Sequence, residues 1–136
     1  MTVFVLDNSV TMRWCFENTA TPYSENVLQQ LATGEAVVPV LWRYEVSAVL
    51  AKSQKSGIIP AAKADAFLTT LESLNITLDQ DGTDRILTDV HHLAVKYGLT
   101  SYDATYLELT IRRKLPLATL DEALIKACTA AGEALL

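Results

Sequence analysis

Four acidic residues stand at positions from which their carboxylates can meet at one edge of a folded sheet. Asp7 directly follows an apolar run, and Asp121 directly follows another near the end of the chain. Glu45 lies near the start of a predicted helix, and Asp103 lies in the first turn of a later one. Clustered carboxylates repel one another unless a cation lies among them, and hard oxygen ligands suit Mg²⁺ or Mn²⁺. The sequence therefore predicts a divalent-metal site that can activate water and neutralise charge on a phosphoryl group.

Each of these acids also has a purely structural interpretation. Asp7 and Asp121 could cap the helices that follow them, and Asp103 could complement a helix dipole. Glu45 is harder to explain in this way, because a carboxylate among apolar groups is costly unless it is paired or metal-bound. Its apolar neighbours in the chain are Tyr44, Val46, Val49 and Leu50. The coincidence of four acids at one predicted edge favours a site over four separate structural roles.

A few other residues bear on the chemistry. Arg13 and Arg43 lie close in sequence to the acids and are candidates for contacts with substrate phosphate. His91 and His92 are adjacent on a predicted helix, so their side chains point about 100° apart and do not form an i, i+4 metal pair. We therefore expect a structural role for both histidines.

The composition excludes several classes of protein. A chain of 136 residues that is 50 % hydrophobic is long enough for one domain with a substantial core. Its net charge of −5 argues against binding of nucleic acid by a general basic field, but not against a nuclease with an acidic metal site. The longest apolar run, 36–42, is far shorter than the ~20 residues that span a bilayer, and the start lacks a signal-peptide pattern. We expect a cytoplasmic protein without a membrane segment.

Short β-branched runs alternate with longer helical patterns along the chain. Strands are predicted at 3–6, 36–38, 76–78 and 115–120, with a possible short edge strand at 134–136. Helices are predicted from Pro22 to Gly34, at 42–55, from Pro60, at 83–97, from a Ser101 cap to Lys114, and from an Asp121 cap to Gly132. This order predicts an α/β fold with a mainly parallel sheet, in which ligands bind beyond the carboxyl ends of the strands.

Four sequence blocks carry a resemblance to a known family. The segment 7–14 fits the pattern D-x-S-x-x-x-x-W, and 44–50 is similar to the second block of the same family. The segment 102–107 fits Y-D-A-x-Y-L, and 117–124 fits L-x-T-x-D-x-x-L. In this order and spacing, the blocks resemble the PIN-domain ribonucleases, and more closely the VapC-type toxins of bacterial toxin–antitoxin pairs. The resemblance covers essentially the whole chain.

The resemblance implies a fold, a reaction and a set of site residues. The fold would be one PIN domain over residues 1–136, a three-layer α/β arrangement with a mainly parallel sheet of four to five strands and about seven helices. The activity would be Mg²⁺-dependent hydrolysis of RNA to 5′-phosphate and 3′-hydroxyl ends, with Mn²⁺ as a substitute. Asp7 and Asp103 would ligate the metal directly, and Glu45 and Asp121 would complete the shell or bind a second ion. Ser9 and Thr119 would orient these acids.

The resemblance also implies partners. A homodimer is expected, together with an antitoxin protein bound in an apolar groove near Trp14, Phe16 and Tyr23. Two positions depart from the family pattern. Ala48 stands where an amide is frequent, and Glu122 stands where a basic residue is frequent, which weakens the expectation of tight RNA contacts beside Asp121.

Two other functions fit parts of the sequence. A phospho-receiver or phosphoryl-transfer enzyme would need a second aspartate near Asp7 and a lysine after the last strand, and neither is present. A catalytically silent PIN module that binds RNA or protein is the remaining alternative. The presence of all four acids argues against it, and a nuclease assay with and without Mg²⁺ distinguishes the two.

Overall fold

The first strand, β1 (Val3–Leu6), lies inside the sheet because its apolar run can be covered on both faces. The computed structural model describes residues 1–16 and 18–136. Three further strands complete the sheet, namely β2 (Glu35–Pro39), β3 (Ile76–Asp79) and β4 (Leu117–Ala118). Their order is β3-β2-β1-β4, and every pairing is parallel. The predicted α/β fold with a parallel sheet is confirmed.

The register places all four carboxyl ends at one edge of the sheet. Val5 pairs with Val37 on one side and with Leu117 on the other. Leu117 also forms an isolated parallel bridge with Leu135. The edge strand expected at 134–136 is therefore limited to this single bridge. Because the strands are parallel and in register, the segments that leave β1 and β4 begin side by side.

Helices cover the sheet, and the described residues form seven of the α type. They are α1 (Asn8–Thr11), α2 (Pro22–Gln30), α3 (Val40–Lys55), α4 (Ala61–Ser73), α5 (His91–Tyr97), α6 (Ser101–Arg113) and α7 (Glu122–Ala130). The core contains the whole inner face of α6, where Tyr106, Leu107 and Leu109 are buried. None of the described helices is both long and apolar enough to span a bilayer.

Local sequence signals explain where several helices begin. Thr21 and Ser24 form the reciprocal hydrogen bonds of a capping box at the start of α2, and Pro22 occupies its first turn. The prediction that Ser101 caps α6 is wrong by one residue. Thr100 is the cap, because its Oγ1 accepts the Asp103 amide at 3.1 Å and thereby places Asp103 in the first turn.

Two predicted elements differ from the structure. Strand β4, predicted at 115–120, is only two residues long. Lys114 adopts a left-handed conformation before it, and after it the Asp121 amide bonds to the Thr119 side chain instead of to a neighbouring strand. The predicted helix at 83–97 is instead a 3₁₀ turn (Asp81–Arg85), a π turn (Ile86–Val90) and α5. The Gly82 amide donates to Asp79 Oδ2, which ties the first of these turns to the end of β3.

A buried ionic network fixes α6 against β3. Arg112 makes two hydrogen bonds to Asp79, of 2.7 and 3.1 Å, and its Nε donates to Glu108 at 2.8 Å. Asp79 and Glu108 are each 5 % exposed. Burial raises the pKa of the Asp79 carboxyl, but the hydrogen bonds and charge of Arg112 outweigh it and hold that pKa below its usual value. The network therefore positions the helix that carries Asp103 and Tyr106.

Candidate active site

Asp7 lies where β1 ends and α1 begins, and it is 5 % exposed. Its Oδ2 atom accepts hydrogen bonds from Ser9 Oγ at 2.6 Å and from Thr119 Oγ1 at 2.7 Å. Ser9 Oγ accepts the Leu120 amide at 2.9 Å, and Thr119 Oγ1 accepts the Asp121 amide at 3.1 Å. Because each hydroxyl has one proton and already accepts an amide, both protons are directed at Asp7.

The two candidate cap residues behave differently. Asp7 occupies the N-cap position, but its side chain makes no capping hydrogen bond to the described residues of α1. The close contacts of the Asp7 carboxylate are therefore with two hydroxyls, although the Ser9 amide also helps to lower the pKa of this carboxyl. Asp121 does cap α7, since its Oδ1 accepts the Leu124 amide at 2.9 Å. That bond uses one carboxylate oxygen of Asp121 and leaves the other outside the cap.

Glu45 lies in the second turn of α3, half-buried, and faces α6. Its Oε1 accepts a 2.5 Å hydrogen bond from the Tyr106 hydroxyl. Tyr106 is completely buried, and burial together with the Glu45 charge raises the pKa of its phenol, so it keeps its proton and donates. Tyr44 is 72 % exposed, so the burial of Glu45 comes from α6 rather than from this neighbour in the chain.

The pKa of Asp103 shows how strongly the acids interact. Burial, followed by the negative charges of Asp121 and Asp7, raises the pKa of this carboxyl to about 6. Burial also raises the pKa of Glu45, and the charges of Asp7 and Asp103 add to that rise. Burial raises the pKa of Asp7, and Asp121 adds to it. Below about pH 6, protonation of Asp103 therefore competes with the binding of any cation.

The donor set fits a hydrated hard cation. All four acids offer carboxylate oxygens, and their mutual repulsion is relieved when a cation lies among them. Within residues 1–16 and 18–136, no three histidine, cysteine or acidic side chains are placed to hold one ion together. Mg²⁺ commonly binds one or two carboxylates directly and keeps several waters. It can therefore bind at an edge where the remaining acids are too far away to be direct ligands.

The two candidate phosphate-binding arginines lie in different places. Arg13 is exposed in the 3₁₀ turn Met12–Trp14 after α1, and its Nη1 donates to the Thr19 carbonyl at 3.2 Å. Arg43 lines a groove between α3 and α4 with Val46 and Leu71. Residues two apart on a helix point about 200° apart, so Arg43 faces away from Glu45. The structure therefore does not bring Arg43 to the acidic edge.

Two tyrosines join the acids without having been singled out as site residues by the sequence. In the sequence, Tyr106 is noted only as part of the Y-D-A-x-Y-L pattern. That pattern does not predict its hydrogen bond to Glu45 of α3. Tyr23 was expected only in the apolar groove. In the structure its hydroxyl lies near the Thr119 backbone, and burial, with the Asp7 charge, raises the pKa of its phenol. The Tyr106 hydroxyl therefore contacts a carboxylate directly, whereas the Tyr23 hydroxyl lies near the Thr119 backbone, within range of the Asp7 charge.

Comparison with known proteins identifies relatives of the chain. A sequence profile described as the PIN domain matches residues 4–129. No curated protein matches the chain.

Several solved structures share the fold. The protein PAE2754 of Pyrobaculum aerophilum aligns with a TM-score of 0.68 and 22 % identity, over 93 % of this chain and 84 % of its own. The VapBC2 structure of Rickettsia felis, bound to a promoter DNA fragment, aligns with a TM-score of 0.71 and 13 % identity over 99 % and 98 %. A toxin–antitoxin complex of Klebsiella pneumoniae gives 0.60 and 15 % over 87 % and 86 %. At sequence identities this low, the similarity to these structures establishes a shared fold.

Proposed function

This chain belongs to the PIN domain family, and from that premise we propose that it is a Mg²⁺-dependent endoribonuclease that acts as the toxin of a toxin–antitoxin pair. We further propose that residues 1–136 form a single domain and that the protein acts in the cytoplasm. PIN domains are typically nucleases and generally metal-dependent. The step from that family to this activity rests on the arrangement of the chain's own acids.

The observation that carries the proposal is the environment of Asp7. Its carboxylate is nearly inaccessible, yet it has no cationic partner among the groups that shift its pKa and instead accepts two oriented hydroxyls. The charges of Asp103, Glu45 and Asp121 also act on this edge. Arg85 and Arg112 form their ion pairs with other acids. A buried, like-charged cluster of this kind is costly for stability and is explained by a bound cation.

Each acid has a role toward that cation. Asp7 and Asp103 would hold it directly, and Glu45 and Asp121 would complete its shell or hold a second ion. Ser9 and Thr119 would fix the direction of the Asp7 carboxylate. A bound Mg²⁺ supplies a water of lowered pKa and neutralises charge on the scissile phosphate. We propose that Arg13, which is exposed, contacts substrate phosphate. A contact from Arg43 would require RNA to pass along the other side of α3.

The partner proposed for regulation is an antitoxin. Structural neighbours from Rickettsia felis and Klebsiella pneumoniae were crystallised in such systems. In this chain, Trp14, Phe16 and Tyr23 are half-buried around α2, and the Trp14 indole donates to the Ser24 carbonyl at 2.9 Å. We propose that their exposed parts form a groove for an amphipathic antitoxin segment, and that the toxin itself is a homodimer.

The experiment that tests the activity is cleavage of a labelled single-stranded RNA by the purified protein. We expect cleavage with Mg²⁺ or Mn²⁺, none in EDTA, and products with 5′-phosphate ends. A catalytically silent PIN module would leave the RNA intact under every condition. Cleavage that persists in EDTA would contradict the metal-dependent mechanism, and intact RNA with every divalent ion would favour the silent module.

The Tyr106–Glu45 hydrogen bond gives a second expectation. In Tyr106→Phe the buried ring is retained and only the donor to Glu45 is lost. Loss of such a supporting hydrogen bond weakens metal affinity or activity by about 10- to 100-fold. We expect Mn²⁺ titrations followed by thermal melts to show this weaker binding, with little change in the EDTA melt. Unchanged Mn²⁺ affinity in a folded Tyr106→Phe protein would exclude a positioning role for the hydroxyl.

A further inference from the structure

A buried hydrogen bond joins α1 to α3 beside the candidate site. The Trp42 indole donates from Nε1 to Thr11 Oγ1 at 3.0 Å. Thr11 is completely buried, and Trp42 is 6 % exposed. Because an indole N–H can only donate, Thr11 Oγ1 is the acceptor, and its own proton is directed at the Asp7 carbonyl oxygen, 3.5 Å away. Since both residues are buried, water does not replace this bond when one partner is lost.

Helix α1 depends on outside contacts because it is only one turn long. It consists of Asn8–Thr11, and Asp7 is the residue directly before it. A single turn has too few internal hydrogen bonds to be stable by itself, so contacts with other elements fix its direction. Trp42 holds the last residue of the turn, and the Leu120 amide, which donates to Ser9 Oγ at 2.9 Å, holds it from the side of β4. The direction of the backbone that leaves Asp7 is therefore set from outside α1.

Helix α3 carries both the Trp42 indole and one of the four acids. Glu45 lies three residues after Trp42, and residues three apart are neighbours on a helix surface. Trp42 contacts α1, and Glu45 accepts the hydrogen bond from Tyr106 of α6. One turn of α3 thus connects the Glu45 carboxylate to Thr11, and through Thr11 to the main chain of Asp7.

The spacing of two acids on separate elements depends on how those elements are joined. Burial raises the pKa of Glu45 and the charge of Asp7 adds to that rise, so the two carboxylates lie within range of each other's charge. Groups that act together at a site must be held to within about 0.5 Å by their supporting contacts. Ser9 and Thr119 fix the direction of the Asp7 carboxylate, but they belong to α1 and to the segment after β4. The bond from Trp42 to Thr11 is the contact that joins α1 to the helix of Glu45.

We infer that the Trp42–Thr11 hydrogen bond is a positioning contact that holds Asp7 and Glu45 at the spacing needed to share a divalent cation. The inference rests on the proposed function and adds to it two positioning residues, neither of which touches the cation or the RNA. Without the bond, α1 is free to shift relative to α3, so both carboxylates remain but their spacing is no longer fixed. Metal affinity should then fall in a protein that is still folded.

The test measures the dissociation constant of Mn²⁺ from the folded protein, by electron paramagnetic resonance of free Mn²⁺, at a temperature well below every melt in EDTA. The variants are Thr11→Val, which keeps the shape of the side chain and removes the hydroxyl, Trp42→Phe, which removes the indole N–H, and the double variant. Thr11→Ser retains the hydroxyl and tests rescue. The matched control is Thr110→Val, because Thr110 is also completely buried and its Oγ1 has no hydrogen-bond partner among the described residues.

We expect Thr11→Val and Trp42→Phe each to bind Mn²⁺ about tenfold more weakly than the parent, as when a hydrogen bond that supports a metal ligand is lost. The double variant should bind about as weakly as either single variant, because both substitutions remove the same bond. Thr11→Ser and Thr110→Val should bind Mn²⁺ like the parent. A bond with only a structural role would lower the melting temperature in EDTA and leave the Mn²⁺ dissociation constant unchanged.

Several outcomes would overturn the positioning role. They are unchanged Mn²⁺ affinity in both folded single variants, an equal loss in Thr110→Val, and losses that multiply in the double variant, which would show that the two residues act separately. If Thr11→Val does not fold because its indole N–H is left unpaired, the double variant, which has no such group, decides by the same measure.

The same proteins separate this inference from the proposed function when RNA cleavage in Mn²⁺ is measured beside affinity. Cleavage by the parent with unchanged Mn²⁺ affinity in the variants would remove the positioning role and leave the nuclease. Weaker Mn²⁺ binding by the variants of a parent that cleaves no RNA would keep the positioning role and remove the nuclease. A parent that binds no Mn²⁺ would overturn the positioning role together with the metal site.

Discussion

Replacing Asp7 by Asn should abolish metal-dependent RNA cleavage while leaving the protein folded. The amide oxygen of Asn can accept the same two hydroxyl protons, from Ser9 and Thr119, that Asp7 Oδ2 accepts at 2.6 and 2.7 Å. The substitution also removes one negative charge from a cluster whose members raise one another's pKa. The metal-free variant should therefore be as stable as the parent or slightly more stable, because repulsion between like charges is reduced.

The same substitution should remove most of the stabilisation by metal. A cation that binds only the folded parent stabilises it by about 2.7 kcal/mol at a hundredfold excess over its dissociation constant. We expect Asp7→Asn to lose most of this gain in melts with Mn²⁺ and to lose cleavage by about a hundredfold or more, as when one charge-stabilising group is removed from an active site.

The matched control for Asp7→Asn is Asp65→Asn. Asp65 lies exposed on α4, so its replacement removes the same charge from the surface and should change neither the metal shift nor cleavage. An Asp7→Asn protein that retains both properties would show that Asp7 is not a metal ligand. Equal losses in both variants would indicate a general effect of net charge.

Removing Arg112 should cause the largest loss of stability. Arg112→Ala leaves the buried carboxylates of Asp79 and Glu108 without their common partner. Breaking a buried ion pair by deleting one member costs about 3–5 kcal/mol. Chemical denaturation at pH 7 measures the difference. The matched control is Arg85→Ala, because the exposed pair of Arg85 with Asp89 at 3.3 Å should contribute less than about 1 kcal/mol.

The pH dependence of this loss has a definite sign. In the parent, the pKa of Asp79 is held below its unfolded value, so its contribution to stability is present above about pH 4 and is lost as the pH falls further. In Arg112→Ala only the Gly82 amide and the more distant Arg113 guanidinium, 3.9 Å from Asp79 Oδ1, still oppose the effect of burial. The pKa of Asp79 is therefore higher in the variant than in the parent, and protonation of this carboxyl relieves the destabilisation of the variant. The difference in stability between parent and variant should therefore shrink between pH 7 and about pH 4. A gap that widens on acidification would exclude the ionic explanation.

The local sequence determined most elements of this fold and the residue types of its candidate site. The apolar run 3–6 predicted a buried parallel strand, and Thr21 with Pro22 predicted the start of α2. Asp7 and Asp121 could be placed beyond strand ends because parallel strands share a carboxyl edge. These inferences depend on periodicity and capping, which are read from residues a few positions apart.

The tertiary structure decided what each side chain does at that edge. The bond from Thr119 to Asp7 spans 112 positions and the bond from Tyr106 to Glu45 spans 61. Composition and spacing allow Asp7 a capping role as readily as a ligand role, and only the structure shows that its carboxylate accepts the hydroxyls of Ser9 and Thr119. Arg43 lies two residues from Glu45, yet it faces another groove because α3 meets α6 on one side and α4 on the other. Such contacts depend on which helix faces pack together, and a periodic pattern identifies a buried face without identifying its partner.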